Sequence, residues 1–201
     1  MRPHDLLHLR PGALTLSADA PRWVAQSLAR APFVVVRRAE LTDDRIPVGV
    51  RGQTRAERHA MTVDLADVDR VITPEMIAAS AAWRTHARRD LPAFTSLDAL
   101  ARAAGALDLA WGPGGSVGFE LASGVPAVND ESDLDVILRP TSAHRREDLE
   151  RFEQSIDKLP IRVDVVIESA LGAVVLSEWL RSPQRALIKT QNGPRLGVFR
   201  W

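Results

Sequence analysis

The sequence predicts an α/β protein in which a mixed sheet flanked by helices follows a smaller α+β domain. Short runs of β-branched residues alternate with amphipathic stretches along the chain, which is the pattern of strands and helices packed in layers. The alternation becomes more regular after about residue 90, where Asp90-Leu91-Pro92 interrupts it. We therefore expect an N-terminal α+β domain over 1–90 and a second domain over 91–201.

In the first domain, an amphipathic helix is predicted over 21–30, with Asp19 as its cap and Pro21 in its first turn. A second helix is expected to start at Thr73, with Pro74 at its first position. Strands are predicted from β-branched or alternating runs over 33–36, 46–51 and 61–65.

In the second domain, Gly124 and Pro160 each mark the end of a predicted helix. A hairpin is expected around Asn192-Gly193, a dipeptide typical of two-residue turns. Helices are predicted over 96–104, 117–123, 145–159 and 171–180. Strands are predicted over 107–111, 132–138 and 161–167.

Composition excludes several classes of protein. Of 201 residues, 26 are Lys or Arg and 26 are Asp or Glu, so the net charge of +0 argues against a dedicated nucleic-acid binder. The chain has no cysteine, which excludes disulfides and thiolate metal sites. No apolar run approaches the roughly 18 residues that span a bilayer, and the N-terminus lacks a secretory signal. We expect a soluble, cytoplasmic protein with no membrane or nucleic-acid partner.

Two carboxylates share one face of the predicted strand 132–138. Alternate strand residues point to the same side, so Asp133 and Asp135 project together while Leu134 points toward a core. Carboxylates roughly 6–7 Å apart along a strand repel each other unless a cation lies between them. This pair therefore predicts a divalent metal site.

A glycine turn and a third acid extend this pattern. Gly115 lies in a small-residue turn whose backbone N–H groups can approach phosphate oxygens, and Ser116 adds a hydroxyl donor. Asp164 lies within the predicted strand 161–167. Three carboxylates beside such a turn can hold Mg²⁺ against a triphosphate, which implies metal-assisted transfer at phosphorus.

These residues resemble a known signature. Gly115-Ser116, Asp133-Leu134-Asp135 and Val163-Asp164-Val165 are similar to the motif of the nucleotidyltransferase superfamily, although the spacing from Ser116 to Asp133 is somewhat longer than in its minimal members. A narrower family is also resembled, the malonate decarboxylase holo-acyl-carrier-protein synthases, or phosphoribosyl-dephospho-coenzyme A transferases. Its likeness spans nearly the whole chain and is carried by residues 4–7, 47–52, 111–121, 132–135, 187–190 and 193–194.

The resemblance implies a nucleotidyltransferase-like fold and a specific reaction. The donor is 2′-(5″-triphosphoribosyl)-3′-dephospho-coenzyme A, and the acceptor is a serine of the apo acyl-carrier subunit of malonate decarboxylase. A phosphodiester forms and pyrophosphate leaves. Asp133 and Asp135 are expected to hold Mg²⁺, and Asp164 either completes a metal position or helps to deprotonate the serine. Gly115 and Ser116 are expected to bind the departing phosphates.

Cationic residues are the remaining candidates. Lys189, at the end of a predicted strand, could neutralise the leaving pyrophosphate or could be a solvated lysine. Arg51, Arg55 and Arg58 form a basic run that suits the donor phosphates or an acidic carrier protein, although such runs are usually solvated. His4 has no metal-ligand spacing and is expected to be structural, although its place in the family-like N-terminal segment leaves a functional role open. The donor site is expected in the cleft between the domains.

Other functions stay open from the sequence. An Asp-x-Asp pair also serves metal-dependent glycosyltransferases, which would leave Asp164 without a role. An acidic chitinase motif is disfavoured because it ends in Glu, where this chain has Ile137. The remaining alternatives are another Mg-dependent nucleotidyltransferase, including the citrate lyase counterpart, and a non-catalytic nucleotidyltransferase-like binding module.

Overall fold

The computed structural model describes residues 1–12, 16–39, 45–54 and 56–201, which form two sheets. The first sheet is antiparallel with the strand order β4-β3-β2-β1-β5. Its strands are β1 (Leu6–Leu9), β2 (Phe33–Val36), β3 (Ile46–Arg51), β4 (Arg58–Val63) and β5 (Val68–Ile72), and helix α1 (Arg22–Arg30) precedes β2.

The second sheet has the order β11-β10-β9-β8-β7-β6. Its strands are β6 (Ala110–Pro113), β7 (Leu134–Arg139), β8 (Val163–Ser169), β9 (Gly172–Val175), β10 (Ala186–Thr190) and β11 (Gly193–Gly197). The β7–β8 pair is parallel and the other pairs are antiparallel, so the predicted mixed sheet and α/β class are confirmed. The helices that accompany it are α2 (Pro74–Ser80), α3 (Pro92–Gly105), α4 (Gly115–Ser123), α5 (Arg146–Ile156) and α6 (Leu176–Arg181).

Strand β7 separates the core from the cavity side of the second sheet. Leu134, Val136 and Leu138 are fully buried and belong to a core that α3, α5 and α6 also supply. The alternating residues Asp135 and Ile137 instead line a cavity, together with residues of the first sheet. The period of two in the sequence therefore places the acids and the core on opposite faces.

The first sheet has the same division. Leu7, Val34 and Val48 join Val24 of α1 in a core on one face. Phe33 belongs to a separate cluster and meets Phe119 of α4 edge to face, with ring centroids 6.3 Å apart. The two halves of the chain therefore contact each other through apolar side chains. Among the described residues, no helix is long and apolar enough to cross a membrane.

One predicted helix is wrong. The segment 171–180 begins as strand β9 and becomes helix α6 only at Leu176. Gly172 has φ 147°, and the residues after it pair antiparallel with β8. The sheet edge thus overrides a helical apolar pattern. The sequence reading also missed β1 and β5, whose short runs give little periodic signal.

Several boundaries shift by a few residues. Strand β6 starts at Ala110 because Asp108 has a left-handed φ of 53°. Helix α4 starts at Gly115, two residues earlier than predicted, and β4 and β7 also differ by two or three residues from their predicted ends. The cap of α1 is wrong: Pro21 holds the N-cap position, and Asp19 accepts a hydrogen bond from Ser17 instead.

Other local predictions are confirmed. The Thr73 hydroxyl accepts a hydrogen bond from the backbone N–H of Met76 at 3.2 Å, which caps α2. The β10–β11 hairpin turns at the predicted place, with Gly193 at φ 102°. The predicted division at residue 90 stays a prediction; β5 ends at Ile72, and the side chain of Trp83 packs in the core of the second sheet.

Candidate active site

Two of the predicted acids are neighbours across the parallel strand pair. Asp135 and Asp164 are each the second residue of their strands, and the register places them directly opposite each other. Adjacent strands lie about 4.8 Å apart and register partners point to the same side of a sheet, so the two carboxylates are close together. Asp135 lines the cavity, whereas Asp164 is not among its lining residues. Asp133 lies one residue before β7, not within it as predicted. The structure therefore groups the three acids at the start of β7 and β8.

The electrostatics of Asp135 reflect this crowding. Burial raises the pKa of Asp135 above its ordinary value of 3.8, and the charges of Asp133 and Asp164 raise it further. Arg51 and His4 act in the opposite direction. Burial is the largest of these causes, and the two neighbouring carboxylates act in the same direction, so a bound cation would relieve both.

Asp164 differs from Asp135 in its partner. Its Oδ1 accepts a hydrogen bond from Nε of Arg162 at 3.0 Å and forms an ion pair with Nη2 of the same side chain at 2.9 Å. This contact holds the Asp164 side chain in a defined position at the start of β8.

The donor set fits Mg²⁺ by its chemistry. All three candidate ligands offer carboxylate oxygens, which Mg²⁺ prefers, and Asp135 faces a cavity. In the part of the chain that the structure describes, no three acidic, histidine or cysteine side chains already converge as a metal-binding group. Mg²⁺ sites commonly use one or two carboxylates with waters and substrate phosphates, so a partial protein set is compatible with this ion.

The glycine turn packs directly against Asp135. The backbone N–H of Gly114 donates to the carbonyl oxygen of Asp135 at 2.9 Å. Gly115 has φ 54°, and a Cβ there would lie 1.7 Å from Oδ2 of Asp135. Only glycine fits this position, on both backbone and steric grounds. Ser116, the next residue, is buried as the second residue of α4.

The turn is also the N-terminus of a nine-residue helix. The first N–H groups of α4 have no partner within the helix, and its dipole favours a nearby anion. Gly114 and Gly115 line the same cavity as Asp135. A phosphate placed there would meet backbone donors on one side and the acids, with any bound cation, on the other.

The cavity lies between the two halves of the chain and has a volume of about 590 Å³. Its wall from the first sheet combines apolar side chains with basic ones. The residues that line it include Leu6, Phe33, Val35, Arg37, Gly49, Arg51, Arg58, His59, Ala60, Phe119, Ile137 and Val166. A volume of this size suits a nucleotide-sized ligand.

The predicted cations are not all close to the acids. Arg51 and Arg58 are register partners across β3 and β4, and both line the cavity. Arg55 lies outside the described residues. Lys189 is exposed on β10, and it is not among the residues that line the cavity. Its register partner Ala173 pairs in turn with Glu168, which is four residues, about 13 Å, beyond Asp164 along β8.

Three residues of this region were not identified as site residues from the sequence. His4, with a left-handed φ of 73°, lines the cavity and its Nε2 lies 2.9 Å from Oε1 of Glu168. The buried Glu168 also forms an ion pair with Arg38. The one feature of the sequence that could have pointed to His4 is its place in the family-like N-terminal segment. Its contact with Glu168 was not predictable from the sequence, because the two residues are 164 positions apart.

Comparisons with known proteins cover the same two halves. Residues 2–74 match the phosphoribosyl-dephospho-CoA transferase MdcG N-terminal domain, and residues 76–198 match the corresponding C-terminal domain. No solved structure matches the chain.

Curated relatives match over nearly their full length. A phosphoribosyl-dephospho-CoA transferase of Azotobacter vinelandii is 41% identical over 207 residues, covering 100% of this chain and 94% of the relative. The proteins of that name from Pseudomonas aeruginosa and Klebsiella pneumoniae are each 40% identical, covering 99% and 100% of this chain and 93% and 96% of the relatives. The resemblance found in the sequence is therefore confirmed, and the chain belongs to the MdcG family of phosphoribosyl-dephospho-CoA transferases.

Proposed function

We propose that the chain transfers the 2′-(5″-triphosphoribosyl)-3′-dephospho-CoA group to a serine of the apo acyl-carrier subunit of malonate decarboxylase. Family membership makes the chain a transferase; the donor, the acceptor and the residue roles are the proposal. The observation that carries it is the pairing of Asp135 and Asp164 beside the N-terminus of α4, at a cavity between the two halves. Cytoplasmic location is part of the same proposal.

The proposed step is a displacement at the phosphorus nearest the transferred ribose. The serine Oγ forms a bond to this phosphorus, and the anhydride bond to the next phosphate breaks. Pyrophosphate leaves with the electron pair of that bond. The N–H groups at Gly115 and Ser116 stabilise the negative charge that develops on the departing phosphates. The serine loses its proton to a carboxylate or to water.

Asp133, Asp135 and Asp164 would hold Mg²⁺, which would neutralise the triphosphate and polarise its phosphorus. Asp164 has two open roles. Its position directly opposite Asp135 favours the metal-ligand role over the general base, since carboxylates that hold one ion must lie close together.

The basic residues of the cavity have a supporting role in this proposal. Arg51 and Arg58 would contact donor phosphates, since they line the cavity that Asp135 faces. Lys189 would meet the pyrophosphate only if the leaving group extends across the sheet toward β10. Lys189→Ala and Arg51→Ala separate these roles: the donor KM should rise strongly for Arg51→Ala and less for Lys189→Ala.

The reaction can be tested by mass spectrometry of the carrier. The protein is incubated with Mg²⁺, the triphosphoribosyl donor and the apo carrier of malonate decarboxylase, and the carrier should gain the mass of the prosthetic group. Asp135→Ala should abolish this gain while the circular dichroism spectrum stays unchanged. Modification of only the citrate lyase carrier, or only of another acceptor by a nucleoside triphosphate, would contradict the proposal.

A further inference from the structure

A second cavity of about 300 Å³ adjoins the first one. Arg51 and Phe119 line both cavities, so these two side chains mark the junction between them. The second cavity extends away from Asp135, toward helix α1 and the segment that follows α4. Its other walls include Trp23, Gln26, Ser27, Arg30, Gln53, Glu57 and residues 125–127.

One face of α1 forms a wall of this second cavity. Trp23, Gln26, Ser27 and Arg30 are spaced by three, four and seven residues, which places them on the same side of a helix. Val24 points instead into the core of the first sheet. The polar face of α1 therefore borders a cavity between the two halves of the chain.

The polar groups of this cavity suit an uncharged ligand with amide groups. Gln26, Gln53 and Ser27 each offer both donors and acceptors. Arg30 already donates from Nη2 to the carbonyl oxygen of Pro126 at 2.9 Å. Glu57 also lines this cavity, and its carboxylate would repel a phosphate. Trp23 adds apolar surface for the methylene groups of such a ligand.

We propose that the second cavity binds the pantetheine arm of the donor, an inference that rests on the proposed function. The order of groups in the donor agrees with the order of the two cavities. With the triphosphate beside Asp135 and Gly115, the adenosine occupies the first cavity, and Arg51 at the junction meets the 5′-diphosphate. The pantetheine arm, with its two amides and its hydroxyl, then enters the cavity bordered by α1.

Two simple ligands isolate the arm. Adenosine 5′-diphosphate and 3′-dephospho-CoA share the adenosine and the diphosphate, and only the second carries the pantetheine arm. Their affinities are measured by isothermal titration calorimetry for the full chain and for two variants. Ser27→Phe fills the second cavity. Ala29→Phe adds the same side chain to the same helix at an exposed position outside that cavity.

For the unchanged chain, 3′-dephospho-CoA should bind about tenfold or more tightly than adenosine 5′-diphosphate, the equivalent of about 1.4 kcal/mol. Ser27→Phe should remove most of this difference in affinity and raise the donor KM. Ala29→Phe should leave both the difference in affinity and the donor KM unchanged. Circular dichroism checks that both variants fold. If Ser27→Phe weakens both ligands equally, or neither, the assignment of the arm is wrong. If the unchanged chain does not modify the apo carrier at all, the proposed function itself is refuted.

Discussion

Gly115 and Asp135 depend on each other at the level of single atoms. The left-handed backbone of Gly115 allows the turn to lie against the carboxylate, where any side chain would collide with Oδ2. The backbone bond from Gly114 to Asp135 holds the two segments in place. The helix N-terminus and the acids are consequently parts of one structural unit, although 20 positions separate these two residues in the sequence.

Replacement of Gly115 can be compared with replacement of the glycine at the other end of α4. Gly115→Ala should abolish carrier modification, because its Cβ must displace Asp135. Gly124, the C-cap of α4, also has positive φ (71°) but has no atom within 4 Å of an added Cβ. Gly124→Ala should cost only about 1 kcal/mol in the free energy of unfolding and keep activity. Equal activity of the two variants would show that contact with Asp135 is unimportant.

Because the pKa of Asp135 is raised, replacing this carboxyl by a neutral amide should stabilise the protein, and more so at pH 7 than near pH 4. A carboxyl with a raised folded-state pKa binds more protons in the folded protein, so its contribution to stability is lost as pH rises from 3.8 through the raised value. Asp135→Asn should therefore be inactive yet more stable than the unchanged chain at pH 7, with a smaller difference near pH 4. Urea unfolding at both pH values measures this.

Asp98 provides a control of opposite sign. Hydrogen bonds from Trp83 and Arg84 lower its pKa, so its contribution is present above pH 3.8 and is lost as pH falls through the lowered value. Asp98→Asn should lower stability at neutral pH. Mg²⁺ should raise the Tm of the unchanged chain and of Asp98→Asn, but less for Asp135→Asn. A stabilisation by Asp98→Asn at pH 7 would contradict this account of the charges.

At the scale of elements, α4 connects the site to the chain that follows it. Its N-terminus meets Asp135, while Glu120, in the same helix, holds the next segment. The fully buried carboxylate of Glu120 accepts hydrogen bonds from Arg88 Nη1 at 3.0 and 3.1 Å and from the N–H groups of Ala127 and Val128 at 2.6 and 2.8 Å. These bonds position residues 125–127, which line the second cavity.

Removal of this buried carboxylate should be costly. Glu120→Ala leaves Nη1 of Arg88 and two backbone N–H groups without their acceptor, so the free energy of unfolding should fall by about 3–5 kcal/mol. Glu150→Ala is the matched control, since Glu150 forms an exposed i,i+4 pair with Arg146 at 2.7 Å and should cost about 0.5 kcal/mol or less. Similar midpoints in urea for both variants would disprove the structural role of Glu120.

At the scale of the whole molecule, polar contacts between the two halves surround the cavity. Glu168, near the end of β8, pairs with Arg38 and His4 of the first half, and its side chain is only 4% exposed. Arg139, at the end of β7, pairs with Glu75 at 2.5 Å and donates to the carbonyl oxygen of Pro3 at 2.9 Å. The relative position of the two sheets, and hence the cavity, depends on these contacts.

Loss of the Glu168 charge should loosen the junction. Glu168→Gln should speed hydrogen–deuterium exchange of the amides in β1 and β8 and reduce stability by about 3 kcal/mol. The neutral amide no longer compensates the charge of Arg38, whose side chain is only 13% exposed. Glu178→Gln, at an exposed position of α6, should leave exchange unchanged. Unaltered exchange in Glu168→Gln would show that the charge of Glu168 does not help to hold the halves together.

Local patterns were sufficient to predict much of the fold and part of the site. The alternation around Asp133 and Asp135 predicted which face of β7 is buried, because side chains in a strand alternate whatever lies around them. Residues 171–180 were misread because Gly172 and its neighbours form a strand only when β8 is available for pairing. The short β1 likewise needs its neighbours to be recognised as a strand.

By itself, the sequence determined the fold class through its local strand and helix patterns, and the family through resemblance. It also predicted that Gly115, Asp135 and Asp164 belong to one site. The tertiary structure alone decided that Asp135 faces Asp164 in register, that Arg51 lies in the cavity while Lys189 does not, and that two cavities adjoin at Phe119. These facts depend on strand register and on the packing of two sheets, which join residues far apart in the chain.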